Sequence, residues 1–336
     1  MSTIRVAING FGRIGRLVMR AILEQGRKDI DIIAINDLGT TYSNTHMLKY
    51  DSVHGPLNRE ITITDLGFDA GSGLVRVYAE PNPEKLPWGD LKIDIVFECS
   101  GRFTTRDKAV AHIDAGAARV LVSAPCTDAD YTVVYGINHK GLNRSHVVIS
   151  NASCTTNCLA PIAHVLDENI GIQKGFMTTV HAYTGDQRLV DTLHQDLRRA
   201  RAAATAIIPA STGAARAVGL VLPHLKGKID GTAVRVPTAN VSMVDLTAVM
   251  NRSTSVDEIN TLMRSASTGY LKEVLGVCTE PLVSCDFNHN PLSSIVDLEQ
   301  THVVGDNFIR VLSWYDNEWG FANRMCDTAR ALYETC

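Results

Sequence analysis

No stretch of this 336-residue chain reaches the roughly 18 unbroken apolar residues that a membrane-crossing helix needs. There is no excess of positive charge either. Against 36 Asp and Glu stand 32 Lys and Arg, a net charge of -4 and a sequence pI near 6.3. Without a basic field the chain is not expected to take nucleic acid or a membrane as its main partner, and small-molecule chemistry is the better expectation. The eight cysteines (Cys99, Cys126, Cys154, Cys158, Cys278, Cys285, Cys326 and Cys336) lack the close, repeated spacings of a disulfide framework. Cys154 and Cys158 have no CxxC pairing and no nearby His to complete a tetrahedral set, so no metal site is expected. The opening MSTIRVAING runs directly into a strand pattern without the charged, apolar and cleavable regions of a secretion signal, and a cytoplasmic location is expected. Internal repeats and low-complexity tracts are absent.

What is present is the composition of a soluble globular protein, 45% hydrophobic and 20% charged, in a chain long enough for about two domains at roughly 150 residues each. Short β-branched runs alternate with helical patterns: Ile4–Ile8, Ile14–Glu24, Ile30–Asn36, then Ile93–Glu98 closing in Cys-Ser-Gly, Thr105–Ala115 stopped by Gly116, and Arg119–Ser123. That alternation predicts an α/β architecture, a Rossmann-type doubly wound parallel sheet over residues 1–153. From Cys154 the pattern changes to a helix reaching about Leu166, a strand over Phe176–Tyr183, a long stretch over Gly185–Pro209, and further strands near Thr232–Val236, Val241–Met250, Leu282–Phe287 and Phe308–Trp314. A second, α+β domain with a mixed sheet is expected over 154–318, followed by a helix in Gly320–Leu332.

Gly10-Phe11-Gly12-Arg13-Ile14-Gly15 follows a predicted strand and opens a predicted helix. Its glycines suit a tight turn under a pyrophosphate, which the helix N-terminus would bind. Asp37 ends the next strand about 20 residues on, where a carboxylate accepts from a ribose 2′-OH and repels a 2′-phosphate. The pair predicts NAD as cofactor. Cys154 lies in Asn151-Ala152-Ser153-Cys154-Thr155-Thr156-Asn157-Cys158, just after a strand and at the start of a helix. The positive helix end should lower its thiol pKa and make it the nucleophile, with backbone amides available to an oxyanion. Cys158, one turn deeper, reads as a buried small hydrophobe. His181, closing a strand, is the candidate base, or else a structural histidine. Ser211-Thr212-Gly213 before a helix and Arg235 near a strand end suit a doubly anionic ligand, or else a helix cap and a structural ion pair.

These residues sit in segments (AINGFGRIGR at 7–16, ASCTTNCLAP at 152–161, VHAYTGDQ at 180–187, DLRRARAAA at 196–204, PASTGAA at 209–215, RVPTANVS at 235–242 and WYDNEWGFANRM at 314–325) through which the chain resembles the glyceraldehyde-3-phosphate dehydrogenases over essentially its whole length. The resemblance implies the phosphorylating, glycolytic reaction: glyceraldehyde 3-phosphate, NAD and inorganic phosphate give 1,3-bisphosphoglycerate through a thiohemiacetal and a thioester on Cys154, with His181 as base. It implies that Thr184 and Arg235, the latter oriented by Asp186, hold the substrate phosphate. Ser153, Thr155, Thr212 and Gly213 would receive inorganic phosphate. Gly10, Gly12, Arg13, Ile14, Gly15, Asp37, Gly101, Ser123 and Asn317 would contact NAD, Asn317 at the nicotinamide carboxamide. It further implies a homotetramer, an S-shaped loop over about Gly185–Asn240 packed near a neighbour's cofactor, and a C-terminal helix, about 319–336, joining the first domain.

The chemistry accounts for the residue types, since a thioester conserves the oxidation free energy for transfer to phosphate and a serine ester would be a poorer acyl donor. Three departures from the family pattern are Glu80-Pro81-Asn82-Pro83 on the adenine side, Thr192-Leu193 in place of a Leu-Pro pair, and Gly185 in place of Asn. The alternatives are an erythrose-4-phosphate dehydrogenase, relatives of which lose the Thr-Gly pair seen here at Thr212-Gly213, and a non-catalytic binding role on the same fold.

Overall fold

The computed structural model describes residues 3–335; Met1, Ser2 and Cys336, the last of the eight cysteines, lie outside them. The backbone divides into two compact units, one running to Ser153 and resuming at Ala322, the other Cys154–Phe321.

The first unit runs β1 (Ile4–Asn9), α1 (Arg13–Glu24), β2 (Ile30–Asn36), α2 (Thr41–Lys49), β3 (Thr62–Thr64), β4 (Gly67–Asp69), β5 (Leu74–Tyr78), β6 (Ile95–Glu98), α3 (Arg106–Ala109), α4 (Ala111–Asp114), β7 (Arg119–Val122), β8 (Tyr131–Thr132) and β9 (Val148–Ser150). Its strands form one nine-stranded sheet in the order β3-β4-β5-β2-β1-β6-β7-β9-β8. All pairings from β5 to β8 are parallel, and β3, β4 and β5 add an antiparallel edge. Helices cover both faces of such a sheet, so its strands are apolar almost throughout: Ile4, Val6, Ala7 and Ile8 of β1 are wholly buried. With β2 on one side of β1 and β6 on the other, the winding reverses at β1, and a crevice opens beyond the carboxyl ends of these strands. The helix expected over Thr105–Ala115 is divided at Val110, where the Ile113 N–H bonds to the Val110 carbonyl at 2.7 Å and tightens the turn.

The glycine loop between β1 and α1 is set by close contacts. Gly10 has φ +89°, and a Cβ there would lie 2.5 Å from the Ser100 backbone; one on Gly15 would lie 2.2 Å from the Gly10 carbonyl oxygen. Around Gly12 there is no heavy atom within 4 Å of a Cβ.

The second unit comprises α5 (Cys154–Asn169), β10 (Ile172–Ala182), β11 (Ile208–Ala210), α6 (Ala214–Val221), β12 (Ile229–Val236), β13 (Ser242–Met250), α7 (Val256–Thr268), β14 (Leu275–Cys278), β15 (Ser294–Val304), β16 (Phe308–Tyr315) and the start of α8 (Trp319–Tyr333), which continues into the first unit. Its seven-stranded sheet has the order β11-β12-β10-β13-β16-β15-β14 and is mixed, parallel at β10–β12 and β14–β15 and antiparallel elsewhere. Burial along β13 alternates with period two, Val244, Leu246 and Ala248 buried between partly exposed neighbours, as a sheet covered on one face requires. Helices α5, α6 and α7 pack on this sheet. The expected strand over Leu282–Phe287 is instead a loop with a short 3-10 turn at Ser284–Phe287, and the neighbouring edge strand is Leu275–Cys278. Between β10 and β11 the chain makes only an isolated bridge, Arg188 to Ala202, and exposes Leu189, Val190, Leu193, Leu197 and Ile207.

Gly15→Ala is expected to lower stability by about 1–3 kcal/mol, the scale of overpacking against backbone, whereas Gly12→Ala costs little. Urea midpoints of the two variants check this, and equal losses would contradict the reading of the loop.

Candidate active site

Strand β9 delivers the chain to the N-terminus of α5, and Cys154 is that helix's first residue. Its Sγ lies 3.5 Å from His181 Nε2, near the end of β10. On the other side of the ring, Nδ1 is 2.7 Å from the Ala182 carbonyl oxygen. A proton on Nδ1 satisfies that carbonyl and leaves Nε2 as an acceptor toward the thiol. Arg235 is the direct register partner of His181 in the parallel β10–β12 pairing. Its Nη1 passes 2.9 Å from Nδ1 and donates to the Ala182 carbonyl at 3.0 Å and to Thr184 Oγ1 at 3.1 Å.

Arg235 makes no ion pair, and its buried Nε has no hydrogen-bond partner among the described residues. A half-buried guanidinium in that condition calls for an external anion. Burial, reinforced by the Arg235 charge, pulls the His181 pKa down to about 4. Burial also raises the Cys154 thiol, against the opposing pull of Arg235 and of hydrogen bonds from Thr155 and the helix-end amides. Cys158 is pushed further, to about 12, by burial among Ser294 and Ser313.

Around this pair the polar groups are tied down. The Tyr315 hydroxyl is buried between Thr155 Oγ1 and Thr179 Oγ1, 2.9 Å from each, with its ring edge-on to His181. Asp186 bonds Thr184 Oγ1 and Arg199, and Arg199 Nη2 also donates to the Ser211 carbonyl at 3.2 Å. Thr212 Oγ1 accepts from the Ala214 N–H at 3.1 Å at the start of α6, and its own proton has no acceptor among the described residues.

In the first unit a cavity of about 290 Å³ opens beyond the ends of β1, β2 and β6, lined by Asn9, Gly10, Gly12, Asp37, Ser100 and Arg102 among others. Asp37 Oδ2 accepts from the Phe11 N–H at 2.9 Å and Oδ1 from the Gly39 N–H at 3.1 Å, which fixes the carboxylate at the cavity and leaves further lone pairs for a ligand. Glu80 and Pro81 also line it, held by the Asn36 side-chain amide, which accepts from the Glu80 N–H and donates to the Glu80 carbonyl, both at 2.9 Å.

The family model for the glyceraldehyde 3-phosphate dehydrogenase NAD-binding domain matches residues 4–106, and that for the C-terminal domain of the same enzyme matches residues 153–317. The chain is similar to glyceraldehyde-3-phosphate dehydrogenases of Xanthobacter flavus and Cereibacter sphaeroides, each 59% identical over 98% of both chains. It is 51% identical to that of Geobacillus stearothermophilus over 97% of both. The chain belongs to the glyceraldehyde-3-phosphate dehydrogenase family. Its enzyme class is that of the family, an NAD-dependent glyceraldehyde-3-phosphate dehydrogenase.

Within the family's expected site, Cys154, His181, Thr184 and Arg235 stand together, as do Gly10, Gly12 and Asp37. Gly15, Gly101, Arg13, Ile14 and Ser123 do not line the cavity; Arg13 pairs with Asp51, and the Ser123 N–H bonds to the Glu98 carbonyl at 2.9 Å. Asn317 Oδ1 accepts from Ser242 Oγ at 2.7 Å in the second unit.

Three expectations need correction. The Cys154 thiol is raised and not lowered, because burial outweighs the helix-end amides. Asp186 does not contact Arg235; the Thr184 hydroxyl stands between them, and the carboxylate's own cation is Arg199. The Thr155 hydroxyl is buried and bonded to Tyr315 at 2.9 Å, so it is not free to turn wholly to a phosphate. Arg199 and Tyr315 were missed. Arg199 could have been suspected from three arginines in DLRRARAAA, though which of the three turns inward is not written in that run.

One equivalent of iodoacetamide is expected to modify Cys154 and abolish activity, leaving Cys158 untouched. Peptide mapping decides it, and modification at Cys158 would overturn the assignment.

Proposed function

We propose that this chain oxidises glyceraldehyde 3-phosphate by covalent catalysis on Cys154 and releases the product by phosphorolysis. The observation that carries the reading is the thiol and neutral imidazole 3.5 Å apart, beside a guanidinium that lacks an anion. Burial disfavours either charge alone, so the thiol proton passes to His181 Nε2 as Sγ bonds to the aldehyde carbon, and the two charges form together and offset one another. The developing oxyanion takes hydrogen bonds from amides at the start of α5.

His181 returns that proton to the oxyanion to give the thiohemiacetal, and its freed Nε2 accepts the hydroxyl proton again as hydride departs and the carbonyl re-forms as a thioester. NAD, when bound, supplies the hydride acceptor. An oxygen of inorganic phosphate attacks the thioester carbon, the C–S bond breaks, and Cys154 leaves as the thiolate, giving the acyl phosphate.

Two anions are needed in this sequence. Arg235 and Thr184 suit the substrate's own phosphate, Arg235 having a buried N–H to spare. Thr212, Gly213 and Ser153 suit inorganic phosphate, and Arg199, only 19% exposed and bonded to the carbonyl just before Thr212, adds a cation there. Gly10 and Gly12, with the α1 N-terminus, fit a pyrophosphate. Asp37 fits the adenine ribose and disfavours a 2′-phosphate, which favours NAD over NADP. Asn317, with Nδ2 unpartnered among the described residues, fits the nicotinamide carboxamide. Gly15, Arg13, Ile14, Gly101 and Ser123 complete the cofactor side of this reading.

The reading includes a division into residues 1–153 with about 319–336 and residues 154–318. It also includes a homotetramer in the cytoplasm. The exposed apolar side chains Leu189, Val190, Leu193, Leu197 and Ile207, beside Phe176 and Phe308 on the sheet, are the kind of surface an oligomer covers.

Retention of Thr212-Gly213 at the start of α6 favours the three-carbon substrate and phosphorolysis over erythrose 4-phosphate. NADH formation from each aldehyde with and without phosphate tests this; efficient, phosphate-independent turnover of erythrose 4-phosphate would reverse it. Thr212→Ala should slow the phosphate-dependent step by about 10- to 150-fold, one charge-assisted hydrogen bond of about 1.5–3 kcal/mol, while the first-turnover NADH burst stays normal in rapid mixing. A slowed burst with an unchanged phosphate step would place Thr212 elsewhere in the reaction.

A further inference from the structure

Beneath the cofactor cavity lies a buried carboxylate that the reaction does not use. Glu98, the last residue of β6, is wholly buried, as is His112 of α4. Glu98 Oε2 faces Asn9 Nδ2 at 2.6 Å and His112 Nε2 at 3.0 Å, and Oε1 accepts from the Ser100 N–H at 2.8 Å and from the Ser100 hydroxyl.

The direction of every one of these bonds is fixed by a donor that cannot be reversed. The Trp88 indole N–H can only donate, and it reaches His112 Nδ1 at 3.1 Å; the ring proton therefore sits on Nε2 and points at Glu98. The Glu80 backbone N–H donates to Asn36 Oδ1, so Asn36 Nδ2 donates to Asn9 Oδ1 at 2.7 Å, and Asn9 Nδ2 in turn must donate to Glu98. The Arg102 N–H donates to Ser100 Oγ at 3.1 Å, which turns the Ser100 hydroxyl proton toward Glu98 as well. Four donors converge on Glu98 and none accepts from it, a demand that only an acceptor at all of its lone-pair positions meets.

Asn9, Asn36, Ser100, Arg102 and Glu80 all line the cavity, whereas Trp88, His112 and Glu98 do not. We propose that Glu98 is the positioning residue of the dinucleotide site: it ties the ends of β1, β2 and β6 and the Glu80-Pro81 loop into one arrangement, with Trp88 and His112 holding it from behind. The proposal rests on the reading that this cavity takes NAD. It also assigns a purpose to the departure at Glu80-Pro81-Asn82-Pro83, since here the loop is held by its backbone through Asn36 and needs no particular side chain at position 80 for that bond.

In Glu98→Gln the amide can satisfy one side only: with its oxygen toward Asn9 Nδ2 and His112 Nε2 the NH2 opposes the Ser100 N–H, and with its oxygen toward Ser100 the NH2 opposes two donors. Calorimetric titration of the full chain with NAD should show binding weakened about tenfold or more, the scale of one charge-assisted hydrogen bond. KM for NAD should rise in parallel, while kcat at saturating NAD and the rate of Cys154 alkylation stay within about threefold. Trp88→Phe, which touches neither cavity nor substrate, should weaken NAD binding about three- to fivefold by freeing the His112 tautomer. If Glu98→Gln does not fold, Trp88→Phe decides alone. Folded variants that bind NAD as the wild type does, or that lose thermal stability with no change in NAD affinity, overturn the proposal. Gly12→Val separates the two readings: if it too leaves NAD binding unchanged, the cavity is not the cofactor site; if it weakens binding while Glu98→Gln does not, only the positioning role fails.

Discussion

The parallel pairing of β10 with β12 sets His181 opposite Arg235, and the electrostatics of the second unit follow from that register. Burial, reinforced by a guanidinium 2.9 Å from the imidazole, keeps the ring neutral and an acceptor toward Cys154. The same guanidinium opposes the burial that holds the thiol proton in place, and it has a buried N–H left over for an anion. Sliding either strand by one residue would carry one of the two side chains to the other face of the sheet and separate them. The chemistry thus depends on a backbone constraint more than on any single side chain.

Both units hold their candidate sites with buried, hydrogen-bonded polar groups. In the second, Tyr315 clamps Thr155 at the start of α5 and Thr179 on β10, the two elements that carry the thiol and the imidazole. Removing its hydroxyl would leave two buried hydroxyls short of a partner and loosen the 3.5 Å approach. In the first, Glu98 gathers donors from β1 and the turn after β6. Tyr315 and Glu98 are both wholly or almost wholly buried, so each holds its neighbours from within the fold.

Local pattern carried much of this into the sequence. Glycines with φ or contact constraints, Asp37 at a strand end, Cys154 at a helix start and His181 at a strand end are all visible because turn geometry and helix termini leave local residue signatures. The long-range partners are not visible in this way. Arg199 reaches Asp186 and Ser211 by the folding of an irregular stretch that has no period, and nothing in three neighbouring arginines says which one turns inward. Tyr315 and Glu98 read as ordinary strand residues because partners such as Thr155, 160 positions from Tyr315, and Asn9, 89 from Glu98, meet them only through the tertiary fold. The helix terminus favours the Cys154 thiolate locally, but burial, a tertiary property, outweighs it. The 3-10 turn at Ser284–Phe287 likewise misled as a strand because its apolar residues pack on Trp314 without entering the ladder.

The central claim is that aldehyde carbon, once oxidised, is held on Cys154 as a thioester until phosphate removes it. Mixing the enzyme with glyceraldehyde 3-phosphate and NAD in phosphate-free buffer, quenching in acid and mapping the peptides by mass spectrometry tests it most directly. The account predicts a single acyl adduct on the peptide that bears Cys154, matched by an equimolar burst of NADH and discharged on addition of phosphate. Sustained NADH formation with no adduct, or an adduct on another residue, would contradict it.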